Sequence, residues 1–296
     1  MTVIRWFGVI VAAAMLLEGV ATAGQAGPAD PAAQAAQAAQ APAPAPPVRD
    51  PDRNLNFNQP DFTIITLPTT VRLPRHKSAF RVTHRFGRPL GAGDFGDLAG
   101  DLFGLDSGAV IGLEYRYAII RGLQVGFHRT SGKTNEFFGD YTVLQQSASR
   151  PIGLSVISSI DGTNNFRDRY SPSLGVAISR ELGRRGAVYF EPIWVNNSNP
   201  LPKALANDND TVMLGVGARI RVRPTVYLVA EVVPRVAGFT PGANHATFGI
   251  EKRAGGHMFQ MNFSNGFATT MGQVARGGFN NDDWYLGFNI SRKFYQ

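Results

Sequence analysis

The chain of 296 residues contains no cysteine. That excludes disulfides, thiol nucleophiles and thiolate metal sites. There is no G-x-S-x-G turn and no glycine-rich turn that opens a helix after a strand, so neither a hydrolase elbow nor a phosphate cradle is written in it. The five histidines, His76, His84, His128, His245 and His257, have no metal-ligand spacing, and no metal or cofactor is expected. Charged residues make up only 17%, and the net +7 forms no basic cluster on a helix, so nucleic acid is not an expected partner. After the first 23 residues no run of about eighteen is continuously apolar, which excludes a spanning helix. A chain that enters a membrane without one must do so as a closed barrel.

What is present begins with an export signal. Arg5 precedes an uncharged, mostly apolar run from Trp6 to Leu17, and Ala21-Thr22-Ala23 makes a cleavage site. Residues 1–23 therefore read as a signal peptide. Residues 24–53 are an Ala/Gln/Pro-rich arm, disordered or extended as polyproline II, that cannot bury a core. Residues 54–77 have strand character at Thr63-Ile64-Ile65-Thr66-Leu67, but Pro60, Pro68 and Pro74 interrupt it. This pre-barrel segment is expected to pack under the following domain or partly to plug it.

From 78 to 296 the period is two. In the closing stretch Trp284, Leu286, Phe288, Ile290 and Phe294 alternate with Tyr285, Gly287, Asn289, Ser291 and Lys293. The same pattern predicts twelve strands, at about 79–88, 108–119, 123–131, 137–148, 152–161, 172–181, 187–196, 211–222, 225–235, 246–253, 257–265 and 283–294. The connections alternate, short at 120–122, 149–151, 182–186, 223–224 and 254–256 and longer between. That is the rhythm of an outer-membrane barrel. The fold expected is all-β, a transmembrane antiparallel up-and-down barrel of about 12 strands. A soluble sandwich has no reason for such alternation.

Five segments carry a resemblance: His84-Arg85-Phe86-Gly87, Leu102-Phe103-Gly104-Leu105-Asp106-Ser107, Gln145-Gln146-Ser147, Gly255-Gly256-His257-Met258-Phe259-Gln260 and Gly287-Phe288-Asn289-Ile290-Ser291-Arg292-Lys293-Phe294. Through them the chain, over about 78–294, resembles a bacterial membrane-bound β-barrel domain family, a domain of unknown function. The resemblance implies an outer-membrane barrel and brings no reaction, ligand or catalytic residue.

Strand parity sorts the side chains, because charge facing lipid costs about 2–4 kcal/mol for arginine at mid-membrane. Arg81, Arg85, Glu114, Arg116, His128, Arg219, Arg221, Glu231, Gln260 and Asn262 are expected to line the lumen. Trp194, Trp284, Leu286, Phe288, Ile290 and Phe294 are expected at lipid or its interfaces. The lining suggests a passive or gated channel for small polar solutes, leaning to anions. The alternatives are a closed barrel that shows loops or arm to a protein partner, and an acyl hydrolase entered through His84. No catalytic residue is assigned. Asp94, Asp97 and Asp101 are spaced as one helical stripe that could hold a divalent ion, but a solvated acidic face explains them as well. Lipid is the one partner the pattern requires, and the outer membrane is the expected location.

Overall fold

A computed structural model describes residues 50–295. The expected signal peptide and residues 24–49 of the arm lie outside them. Residues 50–53, read as the end of the arm, contain a 3-10 turn, Pro51–Arg53. Asp52 in that turn pairs with Arg121 at 3.0 Å.

Twelve antiparallel strands close a barrel and a thirteenth short one extends it. They are β1 Ser78–Pro89, β2 Ala109–Ile120, β3 Leu123–Thr130, β4 Asn135–Leu144, β5 Gly153–Gly162, β6 Asp168–Glu181, β7 Gly186–Val195, β8 Thr211–Arg223, β9 Val226–Val233, β10 Arg235–Gly238, β11 His245–Ala254, β12 His257–Ser264 and β13 Tyr285–Lys293. Neighbours in sequence pair around the wall, and β1 closes on β13 with Val82 opposite Ile290. The expected ninth strand is broken. Pro234, which lacks an N–H for the ladder, separates β9 from β10. Beyond it the chain pairs again with β8, Gly238 opposite Thr211.

The outer face carries the apolar half of each alternation. Tyr115, Phe127, Leu174, Val216, Phe248 and Met261, from six strands around the wall, are all more than a third exposed. Apolar side chains left open all around a barrel are the build of a transmembrane one. Trp194 is exposed and its indole N–H donates to Asp210 at 3.1 Å, as suits an interface. Leu286, Phe288 and Ile290 face outward and are half-buried, and Phe294 is exposed just beyond β13. Trp284 falls one residue before β13 rather than within it, and its ring meets Phe248 edge-on at 5.2 Å.

Two turns differ from expectation. β4 ends at Leu144, four residues early, so the next connection covers 145–152. There Gln146 accepts from the Glu181 N–H at 2.7 Å and clamps the end of β6. The 162–171 connection shrinks to a tight turn at 163–167, where Asn164 and Asn165 adopt positive φ, which asparagine tolerates.

The turn before β7 fixes a glycine. Gly186 has φ 143, and a Cβ there would overlap the Arg219 carbonyl. Gly183, in the same turn at φ 58, has open space around it. Gly186→Ala is therefore expected to destabilise the barrel by roughly 2 kcal/mol or more, and Gly183→Ala by about 1 kcal/mol or less. The temperature at which the folded band is lost in detergent electrophoresis reads both.

Candidate functional site: a plugged lumen

The segment before the barrel runs inside it. Ile64, Ile65 and Leu67 are fully buried, and Phe62 and Leu73 nearly so. Thr63 to Pro68 make a tight hairpin tip, with the Ile64 N–H donating to the Leu67 carbonyl at 2.8 Å and the Thr69 N–H to the Phe62 carbonyl at 2.8 Å. The sequence allowed packing under the barrel or partial plugging. The structure takes the second course.

The tip lies in no sheet, so its backbone groups need other partners. The lumen side chains supply them. The Glu231 carboxylate accepts the N–H groups of Ile65 at 3.1 Å, Thr66 at 2.8 Å and Leu67 at 3.1 Å. Arg219 donates to the Thr63 carbonyl at 2.8 Å, and Gln260 to that of Ile64 at 2.7 Å. Arg81 and Asn289 both donate to the Ile65 carbonyl, at 3.0 and 3.1 Å. Lower down, Ser291 donates to Asp61 at 2.6 Å, Lys293 to the Pro60 carbonyl, and Gln124 to the Val71 carbonyl at 3.4 Å. At the short-turn rim Glu181 accepts from Asn56, Asn58 and Gln59, and the Tyr227 hydroxyl donates to the Phe57 carbonyl at 3.0 Å.

The charges that hold the tip are themselves paired. Arg81 meets Glu114 at 2.6 Å, Arg116 meets Glu114 at 2.9 Å and Asp140 at 2.7 Å, and Arg219 meets Glu251 at 2.7 Å. Pairing with further hydrogen bonds is what makes burial of such groups tolerable. Arg85 donates to Asn289 at 2.9 Å. His128 lies 3.8 Å from Glu136, and His245 3.8 Å from Glu231.

The plug's apolar side chains pack on β5 to β9. Ile64, Ile65 and Leu67 share one apolar cluster with Ile157, Tyr189, Ile193, Met213 and Val229. On β8 a Cβ at Gly217 would overlap Ile64, and one at Gly215 would come within 2.8 Å of Leu67. The missing side chains make the seat.

The long-loop end is closed as well. Within the connection from β12 to β13, Met271–Ala275 form a short helix with a capping box between Thr270 and Gln273. Val274 and Ala275 are fully buried in the same cluster as the plug tip. Thr270 donates to Asp161 at 2.7 Å, the Met271 N–H to Glu136 at 2.9 Å, and Arg276 to the Ser198 carbonyl at 3.2 Å. Burial pushes the Arg276 guanidinium below its ordinary value, with the Asp161 carboxylate opposing. Between loop and plug remains a chamber of about 40 Å³, touched by Thr66, Arg116, Glu136 and Asp140.

Nine of the ten expected lumen residues are buried inside the barrel. Arg221 is the exception. It points inward but sits at the short-turn rim, half-buried, donating to the Pro224 carbonyl at 3.2 Å and lying over the Phe57 ring. The expected set left out Glu136, Asp140, Asp161, Glu191 and Glu251, all buried. Parity marks Glu251, which alternates with Ile250 and Lys252, and Glu191 is marked by the charge-burial rule. His84 faces outward between the rings of Phe288, stacked at 4.7 Å, and Phe86 at 4.3 Å. Asp94 and Asp97 form the capping box of a short helix, Phe95–Gly100, while Asp101 binds Arg88. The acidic stripe thus serves local structure.

The fold and its lumen define a membrane β-barrel sealed by its own N-terminal segment. The chain belongs to the family described as membrane bound beta barrel domain (DUF5777), whose model matches residues 60–294 and so includes the plug tip. Among solved structures it is similar to the COG4313 outer membrane channel from Pseudomonas putida F1, at 14% identity and TM-score 0.48, over 75% of this chain and 97% of that one. A triple mutant of the Rhodopseudomonas blastica porin is similar at 15% identity and TM-score 0.33, over 62% of this chain and 55% of that one. These likenesses are of barrel architecture only. No curated protein matches.

Removing the Glu231 acceptor orphans three buried N–H groups. In Glu231→Ala, hydrogen exchange at Ile65, Thr66 and Leu67 is expected to speed up by on the order of 100-fold, about 3 kcal/mol of lost protection. Unchanged exchange there, in a barrel that still folds, would remove the acceptor from its holding role.

Proposed function

We propose that this protein is a gated channel of the outer membrane for small polar solutes, with the segment from Pro60 to Leu73 as its gate. The observation that carries this reading is the way the plug is held. The backbone of its tip is held by hydrogen bonds to wall side chains, and a wall that keeps those side chains after the tip withdraws is a polar lining. The segment enters from the short-turn end, beside a cleft of about 280 Å³ lined by Asn54, Gln59, Arg72, Gln146 and Glu181. The leaning to anions expected from the arginines is removed by Glu136, Asp140, Asp161, Glu191 and Glu251, which with Glu114 and Glu231 offset the arginines and Lys293. A selectivity near neutral is the better reading.

One feature favours the rival, a closed barrel that serves as a structural or docking partner. The loop around Met271–Ala275 also closes the long-loop end, with its own bonds to the wall and with Val274 and Ala275 packed in the plug's cluster. Planar-bilayer conductance separates the two. Full-length protein is expected to show rare openings, and Glu231→Ala more frequent ones. Deletion of residues 54–73 is expected to give steady steps, whose ion selectivity shifts toward anions in Asp140→Asn. Silence from all three, with each inserted and heat-modifiable, would leave the closed barrel as the reading. A hydrolase entered through His84 would require lipid cleavage that is lost in His84→Ala.

A further inference from the structure

The exposed charges at the long-loop end are sorted. Arg88 is paired with Asp101, and Arg235 and Arg276 turn inward onto backbone carbonyls. The exposed loops elsewhere carry Asp94, Asp97, Asp106, Asp208 and Asp282. Apart from Lys203 in the β7–β8 connection, the exposed bases fall in one sector. Arg129 is the next-to-last residue of β3, Lys133 lies in the β3–β4 turn, Arg167 closes the β5–β6 turn and Arg169 is the second residue of β6. The two turns are tied together, Arg129 donating to Asn165 at 2.8 Å and the Asn165 N–H to the Lys133 carbonyl at 2.8 Å. None of the four bases makes an ion pair among the described residues. The single acid beside them, Asp168, accepts from Asn164 at 2.8 Å.

Below this sector the outer wall is dented. Phe127 and Phe137 lie 5.0 Å apart directly under Arg129, and Phe137 continues to Phe166 at 5.4 Å. Beneath them the row Val125–Gly139–Ser158 carries only small side chains, with none at its centre. The result is an open apolar groove of about 620 Å³, walled by Tyr115, Tyr117, Phe127, Phe137 and Ile160. Four residues of strand separate Val125 from Arg129, about 13 Å. A cationic rim therefore stands one short acyl length above an apolar groove, on a surface that faces lipid.

We propose that this sector binds a phosphate-headed lipid, with its phosphates on Arg129, Lys133, Arg167 and Arg169 and an acyl chain in the groove floored by Gly139. Charge complementarity chooses the head, since guanidinium groups match phosphate oxygens in paired hydrogen bonds. The groove chooses a lipid over a free phosphate. This inference is independent of the channel reading.

The test is native mass spectrometry of delipidated full-length protein in neutral detergent. The probes are bis-phosphorylated lipid A, its dephosphorylated form and phosphatidylcholine. The phosphorylated lipid is expected to be retained at least tenfold more tightly than the other two. Replacing all four bases, as R129E, K133E, R167E and R169E together, is expected to abolish that preference. Arg167→Glu alone, at an exposed turn, is expected to lower retention about threefold and serves if the fourfold variant fails to fold. Gly139→Leu fills the groove without a clash, since a Cβ there meets nothing nearer than 3.8 Å. It is expected to weaken retention at least threefold while the preference for phosphate survives. Equal retention of all three lipids, or retention untouched by both base and groove variants, would overturn the proposal.

Discussion

Three backbone N–H groups on one carboxylate fix the centre of this molecule. Irregular backbone survives at membrane depth only where protein satisfies it. The hairpin tip from Thr63 to Pro68 is such backbone, and Glu231, Arg219, Arg81, Gln260 and Asn289 satisfy it from five strands. The arginines drawn inward are paired with carboxylates. Glu251 answers Arg219, while Glu114 answers both Arg81 and Arg116. Much of the polar lumen is thus linked to the tip through these pairs.

Apolar and polar contacts to the tip are interleaved on the wall. Strands β5 to β9 contribute Ile157, Tyr189, Ile193, Met213 and Val229 to an apolar seat, while the tip's polar partners come from Glu231 on β9 and Arg219 on β8 as well as from Arg81, Gln260 and Asn289 on β1, β12 and β13. A hairpin whose backbone meets those polar groups while Ile64 and Leu67 fill the seat is fixed in its orientation. Its burial stabilises the plug, at about 25 cal/mol per Å² of apolar area removed from water, and the hydrogen bonds fix its orientation. The loop helix Met271–Ala275 adds Val274 and Ala275 to the same cluster from the opposite end.

The outer face was the legible part. Lipid demands apolar side chains at every second position, and that demand writes itself into twelve segments regardless of what the lumen holds. The lumen follows by parity, which is why nine of ten inward residues were placed and why Glu251 could have been. The plug was legible only as a choice. Its hydrogen-bond partners lie more than 150 residues away for Glu231 and Arg219, and no local period encodes them. Pro60 and Pro68 argue against a strand in sequence, and in the structure Pro68 stands opposite Thr63 in a hairpin tip that belongs to no sheet. The apolar inward residues of β5 to β9 hid in a similar way, since a strand with oil on both faces loses its period.

Glycine on β8 decides between an incidental and an intended plug. Gly215 and Gly217 face the lumen in the middle of a thirteen-residue strand, where glycine weakens the element and packs nothing of its own. Both positions are filled by the plug instead, Leu67 against one and Ile64 against the other. If the working barrel were permanently empty, any small polar residue would serve better at either site. The strand is shaped for the occupied state, so the occupied state is the resting one. A pathway through this lumen must then begin with withdrawal of the tip, and that means breaking the Glu231 contacts and exposing the apolar seat together. On the gated-channel proposal, a freely diffusing solute has no contact with the tip from the long-loop side while Met271–Ala275 is in place. An opening signal for such a gate would act from the short-turn end, where Asn56, Asn58 and Gln59 are bound to Glu181 and where the chain leading to the plug enters.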